Sequence, residues 1–254
     1  IIMETPKEVL LYNDSVKVKF VPNPYHQYWI SLKEKSSWTK YERGTGASTI
    51  GGIKDKSGPL KYWVARIMAE FLHQILSERQ ITKYDIDEAR ELHQQRLEKA
   101  ATAGTKIHDW IDEYVKGKKP EMLAEENVLR GINAFLEWEK KHKVKFVDSE
   151  IVLYSKKHGY FGKCDAVAKI GSKLCLIDYK TGKEHPIDNY YFQLAVYIYM
   201  YEKKFNKKVT HWGIFFSKDG QFLKEEVKRD EIQNSIEKIH LMKKLISLAG
   251  EEKQ

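Results

Sequence analysis

From Pro59 to Leu76 the apolar residues recur at helical spacing, and Leu60, Val64, Ile67, Met68, Phe71, Leu72, Ile75 and Leu76 trace one stripe that predicts an amphipathic helix. That stripe reads as core. A second, more polar helix is expected over 85–99. A third is expected over about 106–115, with Gly104-Thr105 ahead of it and Gly117 to Pro120 ending it. Residues of about 125–142 give another amphipathic helix, with Val128, Leu129, Ile132, Phe135 and Leu136 on its buried side. After Val144 the period shortens to two, predicting strands over 144–147, 150–154, 161–170 and 174–179. A helix over about 188–203, strands over 209–216 and 222–227 and a closing helix over about 230–248 complete the chain. At the other end, the basic–apolar alternation from Val16 to Val21, then Pro22-Asn23-Pro24 and the run to Ile30, predicts a β-hairpin. Helices, strands, a crossover helix, strands and a helix in that order describe an α/β or α+β sandwich around a central mixed sheet. There is no internal repeat.

The length of 254 residues and 42% hydrophobic content suit one domain carrying a helical extension, and the pattern divides the chain into an N-terminal hairpin and helical extension over 1–103 and a core over 104–254. Lysine and arginine number 44 against 36 acids, a net charge of +8. The excess favours polyanionic partners, although a bland basic surface is as common as a nucleic-acid binder on charge alone. Within 33–46, Trp38 and Tyr41 stand among Lys35, Lys40 and Arg43, which suits a strand-contacting loop or an ordinary solvated one. Cys164 and Cys175 sit in apolar strand-like runs without CxxC spacing and read as buried thiols in a reducing compartment. No apolar run reaches the roughly 18 residues of a membrane span, and the start lacks a signal-peptide pattern, so a soluble intracellular protein is expected, with no membrane partner.

Gly171-Ser172 is a two-residue turn of the type II′ kind between two apolar strands. It fixes the register: Ile170 pairs with Lys173, and stepping outward from there sets Asp165 opposite Asp178. Lys180, two positions beyond Asp178, shares that face. Two carboxylates with β-carbons about 5 Å apart repel by roughly 3 kcal/mol at an effective dielectric of 20. Flanking Ala166, Val167, Ala168, Leu176 and Ile177 make the hairpin apolar on both faces, so a cation offsets the repulsion better than water does. A salt-bridge network without an ion is the competing reading, but one lysine cannot neutralise two carboxylates. Oxygen ligands favour Mg2+, with Mn2+ as a substitute. An ion there would lower the pKa of a bound water and polarise a phosphodiester, with Lys180 orienting the attack or stabilising the developing charge.

Asp165 and, thirteen residues on, Asp178-Tyr179-Lys180 resemble the D…(D/E)xK core of the PD-(D/E)XK nuclease superfamily, whose restriction-endonuclease-like core has a central mixed sheet flanked by helices. Gly104-Thr105-Lys106-Ile107-His108 resembles the histidine-bearing helix motif of the RecB-like exonuclease branch, Gly162-Lys163-Cys164-Asp165 its GxxD strand, and Gln193 with Tyr197 its QxxxY helix. The arrangement is similar to single-chain exonucleases of the RecB, mitochondrial genome maintenance and phage type. Four motifs in order make the resemblance specific over about 104–216. It implies that His108, Asp165 and Asp178 bind the metal with the Tyr179 main-chain carbonyl, that Lys180 is catalytic, and that Glu150 is a supporting or second-metal carboxylate. It further implies that Lys54, Lys56, Lys61, Trp63 and Arg66 line an arch over a DNA strand.

Each carried residue has a plainer alternative. His108 lies beside Trp110 and Ile111, as a core histidine would. Gln193 and Tyr197, one turn apart among many aromatics, fit DNA or lysine contact as well as simple packing. Glu150 is as readily the partner of a nearby lysine, and Trp63 equally a core residue. Two cysteines cannot hold an iron–sulfur cluster, and without GxxxxGK[ST] no ATP is used. The expectation is a magnesium-dependent deoxyribonuclease, an exonuclease acting on single-stranded DNA or free ends in recombination, repair or replication, with a phage source among the expectations. A sequence-specific endonuclease on the same core and a catalytically idle DNA-binding subunit are the alternatives.

Overall fold

A computed structural model describes residues 7–21, 27–47, 57–182 and 188–251. Strands β1 (Lys7–Leu11), β2 (Val16–Val21) and β3 (Gln27–Glu34) form an antiparallel sheet. The expected hairpin is the β2–β3 pair, and β1 adds a strand on its other side. The stretch read as a loop instead carries β4 (Ser37–Trp38), β5 (Glu42–Arg43) and β6 (Thr45–Gly46). Two-residue strands are too short to show alternation. Trp38 lies under the Lys17 and Lys33 ammonium groups, 4.5 and 5.9 Å from its ring centre, which ties this segment down.

Helix α1 (Ser57–Leu76) packs on α2 (Lys83–Val115). The two helices expected over 85–115 are one continuous helix of 33 residues. Gly104, read as lying ahead of a new helix, is inside it. A glycine costs a helix about 1 kcal/mol but does not end one, and Ala100-Ala101-Thr102-Ala103 before it holds no breaker. Its missing side chain has a packing reason, because a Cβ there would lie 3.2 Å from Thr181 Cγ2 and Oγ1.

Helix α3 (Glu126–His142) leads into β7 (Lys145–Ser155), where one bulged strand replaces the two expected. Then follow β8 (Tyr160–Ile170), β9 (Lys173–Lys180), α4 (Asp188–Phe205), β10 (His211–Phe216), β11 (Gln221–Glu226) and α5 (Arg229–Glu251). The central sheet runs β11-β10-β9-β8-β6, with β7 also on β8. It is mixed: β9 and β10 are parallel, as the α4 crossover between them requires, while β8–β9 is an antiparallel hairpin. Gly171 has φ +63°, and Ile170 pairs with Lys173, the register expected from the turn.

Both faces of the sheet are covered. On one, Leu194 and Ile198 of α4 and Ile232 and Ile236 of α5 pack on Leu153, Leu176 and Ile214. On the other, Ile107 and Ile111 of α2 and Ile132, Phe135 and Trp138 of α3 pack on Ala166, Ala168, Ile177 and Phe215. Burying a ring such as Phe135 contributes about 1.5–3 kcal/mol. Leu11, Val16, Val18 and Ile30 of the N-terminal sheet close a third cluster over Tyr154 and Phe161. Among the described residues no helix is long and apolar enough to cross a membrane.

Candidate active site

The site grows from a fork in the sheet. Along one edge β8 pairs with β7 over most of its length. Along its other edge it pairs with β6 at Tyr160 and Phe161, and with β9 only from Ala166 onward. Among the described residues, Gly162 to Asp165 therefore have no strand partner on that edge. The expected opposition of Asp165 and Asp178 stops one step short, since the last β8–β9 pair is Ala166 with Ile177. Beyond it, Asp165 Oδ2 accepts the Tyr179 N–H at 2.7 Å, so a carboxylate stands where a strand carbonyl would.

Side-chain alternation also slips here. Tyr160 and Cys164 lie in the layer of α4 and α5, whereas Ala166, Ala168 and Ile170, of the same parity, lie in the layer of α2 and α3. In β7 the matching irregularity is Glu150, whose φ of +52° is left-handed. A non-glycine residue rarely adopts that backbone, and it costs on the order of 1 kcal/mol or more. Ser149 and Ile151 on either side pair with Ala166 and Cys164, which sets Glu150 across from Asp165. The neighbouring Ser149 hydroxyl donates to Asp112 on α2 and fastens this strand to the helix that carries His108.

His108, Glu150 and Asp165 each direct a donor atom into one space, and those atoms lie within 4.8 Å of one another. His108 Nδ1 is 3.9 Å from Asp165 Oδ1. That spacing is about twice a metal–oxygen distance of 2.0–2.3 Å, and an imidazole with two carboxylates is a competent donor set for a divalent ion. The histidine is held from one side by an edge-on contact with the Tyr179 ring, 5.6 Å between centres, while Trp110 and Ile111 on the same helix are buried. Glu150 also forms an ion pair with Lys163.

Asp178 takes a different place. It is 2% exposed and lies outside this group of three, with its Oδ2 2.6 Å from Lys180 Nζ. Burial pushes its carboxyl above the usual range, Lys180 pulls it down and the charge of Asp165 pushes it up again, with a net rise. For Lys180, burial works to lower the ammonium, but Asp178 and Asp165 outweigh it and the net shift is upward. Among the described residues three carboxylates (Glu150, Asp165 and Asp178) thus face two lysines (Lys163 and Lys180). The residual negative charge and the converging donors fit a bound cation.

The QxxxY pair is ordered: Gln193 Nε2 donates to the Tyr197 hydroxyl at 3.2 Å. Burial, with Asp165 and Asp178 adding, holds the Tyr197 phenol well above its ordinary pKa. Its ring lies on Gly162, where a Cβ would come within 2.5 Å of Tyr197 Cε1, so the glycine of one motif and the tyrosine of another are one contact. Two residues not singled out from the sequence join the site. Lys163 pairs with Glu150, and Tyr190 offers its ring 5.3 Å from Lys180 Nζ. Lys163 was visible only as a filler position of GxxD, and Tyr190 as one aromatic among several.

Of the residues expected to line an arch, Lys54 and Lys56 lie outside the described residues. Lys61 and Arg66 are exposed and Trp63 is half-buried on α1; Arg66 lies 3.7 Å from Glu70 one turn on.

No protein of curated function matches the chain in sequence. Solved structures with similarity include a "Putative exonuclease" from Eubacterium rectale, with 12% identity, a TM-score of 0.38 and cover of 55% of this chain and 64% of that one. The chain thus spans under two thirds of that protein's length. Another is LHK-Exo in complex with dAMP, with 12% identity, a TM-score of 0.35 and cover of 82% and 89%. As a sequence family, the PD-(D/E)XK nuclease superfamily matches residues 66–251, which is most of the chain and takes in α2 and the whole of β7 to β10. The mixed sheet between helical layers is consistent with that group's fold, and the chain belongs to the PD-(D/E)XK nuclease superfamily.

Proposed function

We propose that the protein is a Mg2+-dependent deoxyribonuclease, with Mn2+ able to substitute, that acts as an exonuclease on single-stranded DNA or free DNA ends. The observation that carries this reading is the convergence of His108, Glu150 and Asp165 beside the buried Asp178–Lys180 pair. When bound, a divalent ion supplies an acidified water and a Lewis acid for a phosphate oxygen. His108, Glu150 and Asp165 would hold it, with Asp178 and the Tyr179 main-chain carbonyl as further ligands. Lys180, kept protonated by its two aspartates, orients the nucleophile and faces the charge that develops on the phosphate. Tyr197, kept protonated by burial, presents a hydroxyl fixed by Gln193 and serves to position Lys180 or the DNA backbone. The donor set also explains Lys163, which balances Glu150 until a cation does. Such an activity belongs to recombination, repair or replication.

The test uses labelled linear and covalently closed DNA, with Mg2+, with Mn2+ and with a chelator. Loss of label from the ends of linear DNA alone, abolished by the chelator, is the expected outcome. Discrete internal fragments would replace the exonuclease reading with an endonuclease, and no cutting in any metal would leave a DNA-binding protein. Lys180→Ala should bind DNA and not cut it; normal cutting by that variant overturns the assignment of the site.

A further inference from the structure

Beside the fork a cleft of about 380 Å³ opens between α2 and α3. Its charged residues are Arg96, Lys99, Arg130 and Lys218, and no carboxylate lines it. Arg130 donates to the Asn127 side-chain oxygen at 2.7 Å, and none of the four cations has a carboxylate partner among the described residues. Arg79, Lys106, Lys116, Lys118, Lys228 and Arg229 pair with acids, whereas surface lysines such as Lys83, Lys140 and Lys173 have no acid partner among the described residues; what sets these four apart is that they converge on one cleft. Four cations left facing one another across a cleft repel, and a polyanion is what relieves that repulsion.

The cleft also starts at the site. Thr181, which lines it, follows Lys180, and Ile107, which lines it, precedes His108. Ser217, another wall residue, donates its N–H to the Lys180 carbonyl at 2.8 Å. From there the α2 wall recedes through Ala103, Ala100, Lys99 and Arg96, one face of a helix at three- and four-residue steps. The run from Ile107 to Arg96 covers about 16 Å at 1.5 Å per residue. One strand of a duplex advances about 3.4 Å per phosphate, so this wall faces roughly four or five of them.

We propose that this cleft is the track for the sugar–phosphate backbone next to the scissile bond, with Arg96, Lys99, Arg130 and Lys218 as phosphate contacts. The proposal rests on the nuclease reading of the adjoining site and moves the main strand-binding surface from α1 to the α2–α3 side. Small, apolar Ala100 and Ala103 form the floor between the cations, which lets a backbone lie close without reading bases.

The test compares wild type with Arg96→Ala/Lys99→Ala/Lys218→Ala, all at surface positions. In chelator, binding to a labelled single-stranded oligonucleotide is measured across a salt series. Three lost phosphate contacts should flatten the slope of log K against log salt by about 2. Cleavage is then measured on the oligonucleotide and on a small chromogenic phosphodiester that reaches the metal site but not the cleft. The expected variant loses at least tenfold on the oligonucleotide, mainly in KM, and keeps its rate on the small diester. An unchanged salt slope overturns the track, whether or not the protein cuts. Equal loss on both substrates also overturns it, because the residues would then act on the chemistry. If wild type cuts neither substrate, the nuclease reading fails while the salt slope still decides the track.

Discussion

The Tyr197 ring rests on Gly162 with no room for a methyl group, since a Cβ on the glycine would sit 2.5 Å from Tyr197 Cε1 and 3.0 Å from Ala47 Cβ. Gly162→Ala should therefore destabilise the protein by about 1–3 kcal/mol through overpacking. In a double-mutant cycle the Gly162→Ala and Tyr197→Ala effects should fall short of additive by at least 0.5 kcal/mol. Urea unfolding of the four proteins measures this, and strict additivity would mean that the contact does not hold the two elements together.

A second prediction concerns the buried ion pair. Lys180→Met leaves Asp178 buried beside Asp165 without its counter-charge and should cost about 3–5 kcal/mol in the metal-free protein. Adding Asp178→Asn should recover most of that loss. Denaturation midpoints in chelator compare the variants, and a stable Lys180→Met protein would show that the pair carries little.

Cation binding should appear as stability. Mg2+ or Mn2+ at one hundred times its dissociation constant raises the unfolding free energy by about 2.7 kcal/mol. The thermal midpoint of wild type should rise accordingly. Asp165→Asn and Glu150→Gln, which each remove a charged ligand, should lose most of the rise. Undiminished stabilisation in both would place the ion elsewhere.

The start of α2 carries a pH dependence of its own. Arg79 donates to both oxygens of Asp85 at 2.7 and 2.6 Å, and the Thr82 N–H and hydroxyl donate to its Oδ2 at 2.8 and 2.7 Å. These bonds, the arginine's foremost, hold the Asp85 carboxyl well below the usual range. A depressed folded pKa contributes stability that is complete above the unfolded value of about 3.9 and fades as pH falls through the folded one. Asp85→Asn should hence be less stable than wild type at pH 7, with the gap closing below about pH 4. A gap independent of pH would mean that shape, not charge, matters there.

Much of this was legible because turn chemistry fixes register. Gly171-Ser172 set the β8–β9 pairing, and Val167, Ala168, Leu176 and Ile177 are buried as their pattern requires. What periodicity could not see was where regularity ends. The αL backbone of Glu150 and the parting of β8 from β9 after Ala166 are tertiary outcomes, and they decide that Asp165 joins Glu150 and His108 while Asp178 folds toward Lys180. Gly104 misled because a glycine that makes room for Thr181 looks, in sequence, like one that starts a helix. The cation cleft was illegible for a similar reason: Arg96 and Lys99 share one helix face, but Arg130 and Lys218 are far from them in the chain and join them only when α2, α3 and the β10–β11 turn come together.

The edge of β8 is divided between two short neighbours, β6 at one end and β9 at the other. Among the described residues the four positions between them, Gly162 to Asp165, are claimed by neither, and the Asp165 carboxylate, by taking the Tyr179 N–H, occupies the place where the β8–β9 ladder would otherwise continue. The same oxygen pair thus has two duties: one Asp165 oxygen parts the strands while the other faces His108, so the opening of the recess and its donor set rest on a single side chain.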